Sequence, residues 1–209
     1  MIVAGFISFD QPKRNPIVKR YEKENYITVG SKPERWKHHA NVKIIEDWKH
    51  HIKGNVLDIG CNHGACSFWL NHFGNVDQTE GLDLNKEALI IAQNTFKERG
   101  LTFEYHTINL VQEKLDKQFD TLVSFHTLEH IHKEDIKPFL KNACDMLKQE
   151  GFFIISIPYW IAWKDQTHVS FFKEEHLIEA METAGFKTVQ CFKDDRWEQK
   201  NLLTGIFQK

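Results

Sequence analysis

The chain predicts an α/β fold, a mostly parallel seven-stranded sheet with helices on both faces and an antiparallel last strand. Three observations predict it. From Asn55 onward, short apolar runs alternate with segments whose apolar residues recur at helical spacing. Glycines punctuate these segments, at Gly60, Gly74, Gly100 and Gly151. The last two apolar runs, "FKTVQCF" and "LLTGIFQ", have only a short polar stretch between them. A parallel crossover needs a dozen or more residues, so that pair must be an antiparallel hairpin.

The elements follow in order. Residues 1–30 give no clear period; "DQPKRNP" is a turn-rich break and "VKRYEKENY" is polar. In "KPERWKHHANVKIIEDWKHHI", Pro33 stands near the start, and Trp36, Ala40, Ile44, Ile45 and Trp48 predict a helix over 33–51. Residues 1–50 are therefore expected to form a helical extension or lid, with "RWKHH" as its lid-like part, and 51–209 the main domain. "NVLDIG" is a buried strand that breaks at Gly60, and "ACSFWLNHFG" is a helix. "TEGLDL" is the second strand, and Asn85 caps the helix "KEALIIAQNTFKERG". "LTFEYHTI" and "FDTLVSF" are strands three and four. "DIKPFLKNACDMLKQEG" is a helix with Pro138 in its first turn and Gly151 as its stop. "FFIISIP" is strand five, and "KEEHLIEAMETAG" is the helix before the final hairpin.

Composition bounds the partners. At 209 residues and 41% hydrophobic, the chain suits one α/β domain with a modest extension. Its 27 basic and 29 acidic residues nearly cancel, and no basic stripe asks for nucleic acid. Cys61, Cys66, Cys144 and Cys191 form no C-x-x-C pair, and "MIVAGFISF" lacks a basic leader and a cleavage site. No apolar run approaches the ~20 residues of a membrane span. The expectation is a cytoplasmic protein with reduced thiols.

Two stretches carry chemistry. "VLDIGCNHG" is a glycine-rich turn between strand and helix, spaced G-x-x-x-G, with Asp58 in the strand before it. Gly60 and Gly64 would let the backbone approach a ligand, and the helix N-terminus beyond offers unpaired N–H groups. About twenty residues on, "EGLDLN" ends a strand at Asp83, where a carboxylate accepts both ribose hydroxyls of an adenosine. The second stretch, "SFHTLEHIHKEDI", packs His126, Glu129, His130 and His132 where strand four runs out. His126, Glu129 and His130 share one face; His132 falls off it and is expected in solvent.

In their order and spacing, "VLDIGCNHG", "GLDLN", "INL", "FDTLVSFHTLEHI", "LKQEGFFIISIP" and "HVSFFKEEHLIEAMETAGF" resemble class I S-adenosylmethionine-dependent methyltransferases, from residue 55 to 209. "LEHI" and the later H-x-x-F-F resemble the branch with ubiquinone-biosynthesis O-methyltransferases, sugar and natural-product methyltransferases and small-RNA 2′-O-methyltransferases. The resemblance implies a Rossmann-like sheet and S-adenosylmethionine as cofactor. It implies that Asp58, Gly60, Cys61 and Gly64 sit by the methionine part and that Asp83 binds the ribose. It further implies that Leu84 packs on the adenine, and that Asn109 and Leu110 of "INL" lie by the adenine, with the Asn109 amide oxygen accepting from its amino group. Ser124 and Phe125 would flank the methionine chain. Asn62 replaces a glycine common in the family, and asparagine tolerates a positive φ better than most residues.

Some relatives in that branch carry E-x-x-E-H after strand four plus a later histidine, together binding a divalent metal. Here His126, Glu129, His130 and His168 take those places, imidazole replacing the first carboxylate. This set suits Zn, Fe(II) or Mn better than Mg. Equally, the histidines only pack or bond near the cofactor, as in metal-free relatives. His168 or His126 is then the candidate base. "PYWIAWKDQTH" follows strand five, where Tyr159, Trp160 and Trp163 either line a substrate pocket or pack on one another. His38, His39, His50 and His51 are expected on exposed helix surface. The expectation is O-methylation of a small hydroxylated acceptor. RNA 2′-O-methylation and a non-catalytic cofactor-binding protein are the rivals.

Overall fold

The computed structural model describes residues 32–73, 75–160, 167–195 and 201–209. Seven strands form one sheet: β1 (Lys53–Ile59), β2 (Asn75–Leu82), β3 (Glu104–His106), β4 (Phe119–Phe125), β5 (Leu147–Pro158), β6 (Lys187–Asp194) and β7 (Leu202–Gln208). Their order is β3-β2-β1-β4-β5-β7-β6. The first five run parallel, and β7 runs antiparallel to both β5 and β6, so the hairpin follows as the short connection requires.

Both faces are covered. On one lie helices α1 (Ala40–Trp48), α2 (Ala65–Phe73) and α3 (Lys86–Lys97). Val42, Ile44 and Ile45 of α1 and Trp69 and Leu70 of α2 pack with Val56, Val123 and Ile206 of the sheet. Ala92 and Phe96 of α3 pack on Cys61 and Phe103. Across the sheet, α4 (Lys133–Met146) and α5 (Glu174–Ala184) bury Phe139, Leu140, Leu177 and Met181 against Leu57, Leu122, Phe153 and Leu203. Burial on both faces explains why the central strands read as apolar runs rather than alternation.

Four sequence expectations are corrected. The helix over 33–51 is three pieces: a 3-10 turn at Pro33–Trp36, helix α1, and a 3-10 turn at Lys49–His51. His39 interrupts it, because its backbone is extended and its Nδ1 accepts the Asn41 N–H at 3.3 Å as an N-cap. His51 is not free surface; its ring lies 5.8 Å from Trp48 and 4.6 Å from Phe152. Pro138 sits inside α4 rather than in its first turn, since that helix already starts at Lys133. Finally, Gly151 does not end α4. The chain turns extended at Leu147, and pairing jumps from Phe119↔Leu147 to Thr121↔Phe152 across a bulge. A Cβ at Gly151 would lie 2.7 Å from the Leu147 side chain and 2.9 Å from the Asp120 carbonyl, so glycine serves close packing there.

Residues 1–31, expected to hold the rest of the extension, lie outside the described residues. Among the described residues no helix is long and apolar enough to cross a membrane.

One buried charge anchors the β3 edge. Glu80 of β2 is fully buried, with Oε2 2.8 Å from His106 Nε2 and Oε1 bonded to the Lys117 ammonium. A buried carboxylate persists only when paired. Removing one partner of a buried pair costs ~3–5 kcal/mol, but Lys117 is 40% exposed and can turn to water. Glu80→Ala should therefore lower unfolding free energy by about 2 kcal/mol in urea titration, with Glu80→Gln costing less. A loss under ~0.5 kcal/mol would show that the pair contributes little.

Candidate active site

Three left-handed residues build the turn after β1: Gly60 at φ 78°, Asn62 at φ 50° and Gly64 at φ 74°. Only such a sequence reverses the chain this sharply into α2. Gly60 N–H and Cys61 N–H both donate to the Leu82 carbonyl, at 2.7 and 3.1 Å. The turn is thus tied to the end of β2. A Cβ at Gly60 would stand 2.0 Å from Thr127 Oγ1, and one at Gly64 would stand 3.0 Å from Ala92 Cβ. The space these glycines leave is taken by the protein's own packing.

Asp83, the residue after β2, completes the tie. Its Oδ2 accepts the Asn62 N–H at 2.9 Å and its Oδ1 the Asn85 N–H at 2.8 Å. Burial raises its pKa above the usual carboxylate value, against these backbone bonds. Asp58 is deeper, 1% exposed, and accepts from Ser67 Oγ at 2.6 Å. Burial pushes its pKa up to about 7, opposed by the Ser67 bond and aided by the negative charge of Asp83.

A cleft opens at this C-terminal edge of the sheet, where ligands bind in open α/β folds. Gly60, Asp83, Leu84, Asn85, Ile108, Asn109 and Leu110 line one side; His126, Thr127, His130, Ile131 and Phe139 line the other. Of the residues expected at a cofactor, Gly60, Asp83, Leu84, Asn109 and Leu110 line it. Leu84 is an apolar side chain left 49% exposed there. Asp58, Cys61 and Gly64 are not among the lining residues. Ser124 is fully buried and donates to the Ile59 carbonyl at 3.1 Å, and Phe125 packs into the core beneath α1 and α2. Asn109 Oδ1 accepts the Val111 N–H at 3.1 Å. Ile108, Thr127, Ile131 and Phe139 went unread from sequence. All but Phe139 adjoin residues of motifs already noted; Ile108, Ile131 and Phe139 look like ordinary core, and the Thr127 hydroxyl is spent on the Ile59 carbonyl at 3.2 Å.

The histidine cluster faces the same cleft. His126 sits at φ 57°, an uncommon conformation for a non-glycine residue, with its N–H on the Ser156 carbonyl at 2.9 Å. A 3-10 turn, Leu128–His130, follows. Glu129 is 2% exposed; its Oε1 lies 3.2 Å from His126 Nδ1, and its Oε2 has no hydrogen-bond partner. Burial alone would raise this carboxyl, but the bond and charge of His126 and the charge of His130 hold it below the ordinary value. His130 Nδ1 lies 3.0 Å from the Thr167 carbonyl, which can only accept. Nδ1 is therefore the donor to that carbonyl, and Nε2 is the ring nitrogen left to serve as a ligand. The rings of His130 and His168 are 5.0 Å apart.

Glu129, His130 and His168 each offer a ligand atom within 4.8 Å of the others'. His126 is not part of this group; its Nδ1 lies against Glu129 Oε1. The segment bearing His168 is pinned by Val169 and Ser170 N–H bonds to the Glu129 carbonyl, at 2.9 and 3.1 Å. A second group, Glu80, Glu104 and His106, already holds the Lys117 ammonium. Tyr159 bridges to Phe172, and the Trp160 ring lies 5.7 Å from His176; Trp163 lies outside the described residues.

The family described as "Methyltransferase domain" matches residues 36–191. The chain belongs to that family. Ubiquinone biosynthesis O-methyltransferase of Pelagibacter ubique is 29% identical over 142 residues, 68% of this chain and 52% of that protein. Nodulation protein S of Azorhizobium caulinodans is 29% identical over 106 residues, 50% of this chain and 49% of its own length. The chain thus spans about half the length of the curated relatives it matches. Among solved structures, an S-adenosylmethionine-dependent methyltransferase from Clostridium acetobutylicum superposes with TM-score 0.67 at 17% identity, covering 93% of this chain and 98% of that one. The N-methyltransferase NodS from Bradyrhizobium japonicum with S-adenosylhomocysteine bound superposes at 0.66 and 19% identity, covering 85% and 87%. These likenesses show the fold. It is the class I S-adenosylmethionine-dependent methyltransferase fold, with the seven-stranded Rossmann-like sheet that the motifs implied.

The raised Asp58 pKa has a stability consequence. Between the ordinary Asp value near ~4 and about 7, the folded chain binds more protons at Asp58 than the unfolded chain does. Its contribution to stability therefore falls as pH rises through that window. Asp58→Asn, neutral at every pH, should gain on the natural protein between pH ~5 and ~8, by roughly 1 kcal/mol or more in urea unfolding without cofactor. A stability difference that stays flat over that range would contradict the buried, proton-holding Asp58.

Proposed function

We propose that this chain transfers the methyl group of S-adenosylmethionine to an oxygen of a small hydroxylated acceptor, assisted by a divalent metal. The observation that carries this reading is one cleft with two unlike walls. One wall presents Asp83, Leu84 and Asn109; the other presents His126 and His130, with Glu129 and His168 behind. The first wall suits an adenosine: a carboxylate for two hydroxyls, an apolar side chain for the adenine face and an amide beyond it. The second wall suits an acceptor that must lose a proton.

That distinction favours oxygen. A neutral amine already has a nucleophilic lone pair, whereas a hydroxyl becomes a good nucleophile only as its proton leaves. The sulfonium methyl is already activated, so the protein's work is alignment and proton removal. Relatives named ubiquinone biosynthesis O-methyltransferase agree with this reading, while NodS is named an N-methyltransferase; neither names this chain's acceptor.

Glu129, His130 and His168 would hold the metal. The unpartnered Glu129 Oε2 is the atom that otherwise lacks a reason to be buried. The His130 Nδ1 bond to the Thr167 carbonyl is the support that orients metal-binding imidazoles. Two imidazoles and one carboxylate suit Zn, Fe(II) or Mn rather than Mg. When bound, such an ion lowers the pKa of a hydroxyl beside it. His126, held by Glu129 at the cleft wall, orients that carboxylate and is placed to take up the acceptor's proton. His168 is the other candidate for that role in a metal-free cycle.

Protein purified without chelator should carry roughly one divalent ion per chain by elemental analysis. EDTA should stop turnover yet leave S-adenosylhomocysteine binding intact, because Asp83 lies outside the donor set. His130→Ala should behave like EDTA treatment, whereas His126→Ala should keep the ion. A metal-free protein that works in EDTA and ignores added ions would remove the metal from this proposal and leave a histidine base.

A further inference from the structure

Beyond the donor set, the same sheet edge carries two lysines with no assigned work. Lys173 Nζ lies 5.0 Å from the centre of the Trp160 ring, and Lys193 Nζ lies 5.4 Å from that of Tyr159. Tyr159 and Trp160 follow directly on β5, while Lys193 sits near the end of β6 and Lys173 just before α5. The register explains the meeting. Lys193 pairs across Leu203, and Leu203 across Ile157, so Lys193 shares a face with Ile157 and with Tyr159 two residues on. The sequence keeps these residues far apart; the hairpin brings them together.

An aromatic face holds an ammonium in place without neutralising it. Among the described residues, neither ammonium has a carboxylate within 4.0 Å, although other lysines do, such as Lys117 with Glu80 and Lys148 with Asp120. The nearest acids in sequence, Glu174 and Glu175, are exposed in the first turn of α5, where the helix dipole favours carboxylates. Asp194, beside Lys193, is 2% exposed and so lies turned into the protein. Trp160 itself is held at φ 49°, an uncommon conformation of the kind that gathers at functional sites.

One short segment joins this pair to the donor set. Val169 and Ser170 bond to the Glu129 carbonyl, and Phe172 accepts the Trp160 N–H at 2.8 Å and bridges Tyr159. From His168 to Phe172 the chain spans at most about 13 Å, at ~3.3 Å per residue. That upper bound is within the reach of one small molecule with a hydroxyl at one end and a second polar group at the other.

We propose that Lys173 and Lys193 read an anionic group, a carboxylate, on the methyl acceptor, so that the acceptor is a hydroxylated acid. This rests on the methyl-transfer reading above and adds the acceptor's charge to it. The rings hold the two ammonium groups ready, which spares the ordering cost of free lysine side chains.

The test compares 3,4-dihydroxybenzoate with its neutral isostere 3,4-dihydroxybenzamide, on the natural protein and on the Lys173→Gln/Lys193→Gln double variant. The natural protein should favour the acid by about tenfold or more in kcat/KM, the scale of one charge-assisted contact, and the double variant should fall below about twofold. Raised salt should erode the preference in the natural protein alone. No preference in the natural protein, or one that survives in the double variant, overturns the proposal. If neither compound is methylated, calorimetric binding in the presence of S-adenosylhomocysteine decides. Acid bound more tightly than amide, with that difference lost in the double variant, upholds the lysine site and counts against O-methylation of these hydroxyls. Equal or absent binding of both overturns the lysine site.

Discussion

The Leu82 carbonyl is the point on which the site depends. Two successive N–H groups from the turn after β1 converge on it, and the next residue, Asp83, takes a third from Asn62. Parallel strands expose their C-terminal ends with unpaired backbone groups, and those groups must be satisfied. Here the end of one strand satisfies the turn leaving the other. The left-handed run at Gly60, Asn62 and Gly64 is the conformation that lets this happen. The same bonds leave Asp83 at the cleft, so the packing solution and the lining of the cleft are one arrangement.

The opposite wall is built by a different device. β4 ends in a strained residue, His126, and the following 3-10 turn buries Glu129 beneath it. Burying that carboxylate is costly unless its charge is answered. His126 answers one oxygen, the other has no hydrogen-bond partner, and the carboxylate groups with the imidazoles of His130 and His168. Thr167, Val169 and Ser170 return from beyond β5 to fix those imidazoles by backbone bonds. A half-satisfied buried network has little value to a fold and much to a site that completes it.

Legibility in the sequence followed the range of the interaction that decides each feature. The turn from β1 into α2 and the placing of Gly60 and Asp83 at the sheet edge were readable because a strand, a turn and a helix each leave a local signature. Glu129 and His130 were readable from spacing, but the departure of His126 from the donor group was not, since it turns on one left-handed dihedral. The break at His39 hid because apolar residues keep helical spacing across two separate elements. Gly151 read as a helix stop because a bulge in a long strand and a C-cap use the same residue. The Glu80–His106–Lys117 group and the lysines over Tyr159 and Trp160 carry no local signal, being joined only by the tertiary fold.

The central claim is that Asp83, anchored by the turn, is also the cofactor's ribose acceptor. Calorimetric titration of S-adenosylhomocysteine into the natural protein and into Asp83→Asn tests it most directly. The substitution keeps one oxygen, which can accept only one of the two backbone N–H groups, and removes the charge and the second acceptor. A cofactor affinity at least tenfold weaker follows from losing a hydrogen bond to a charged group, worth ~1.5–3 kcal/mol, with the melting temperature shifted by no more than a few degrees. Unchanged affinity in a folded Asp83→Asn protein would contradict the account, because the wall assigned to the adenosine would then be doing only structural work.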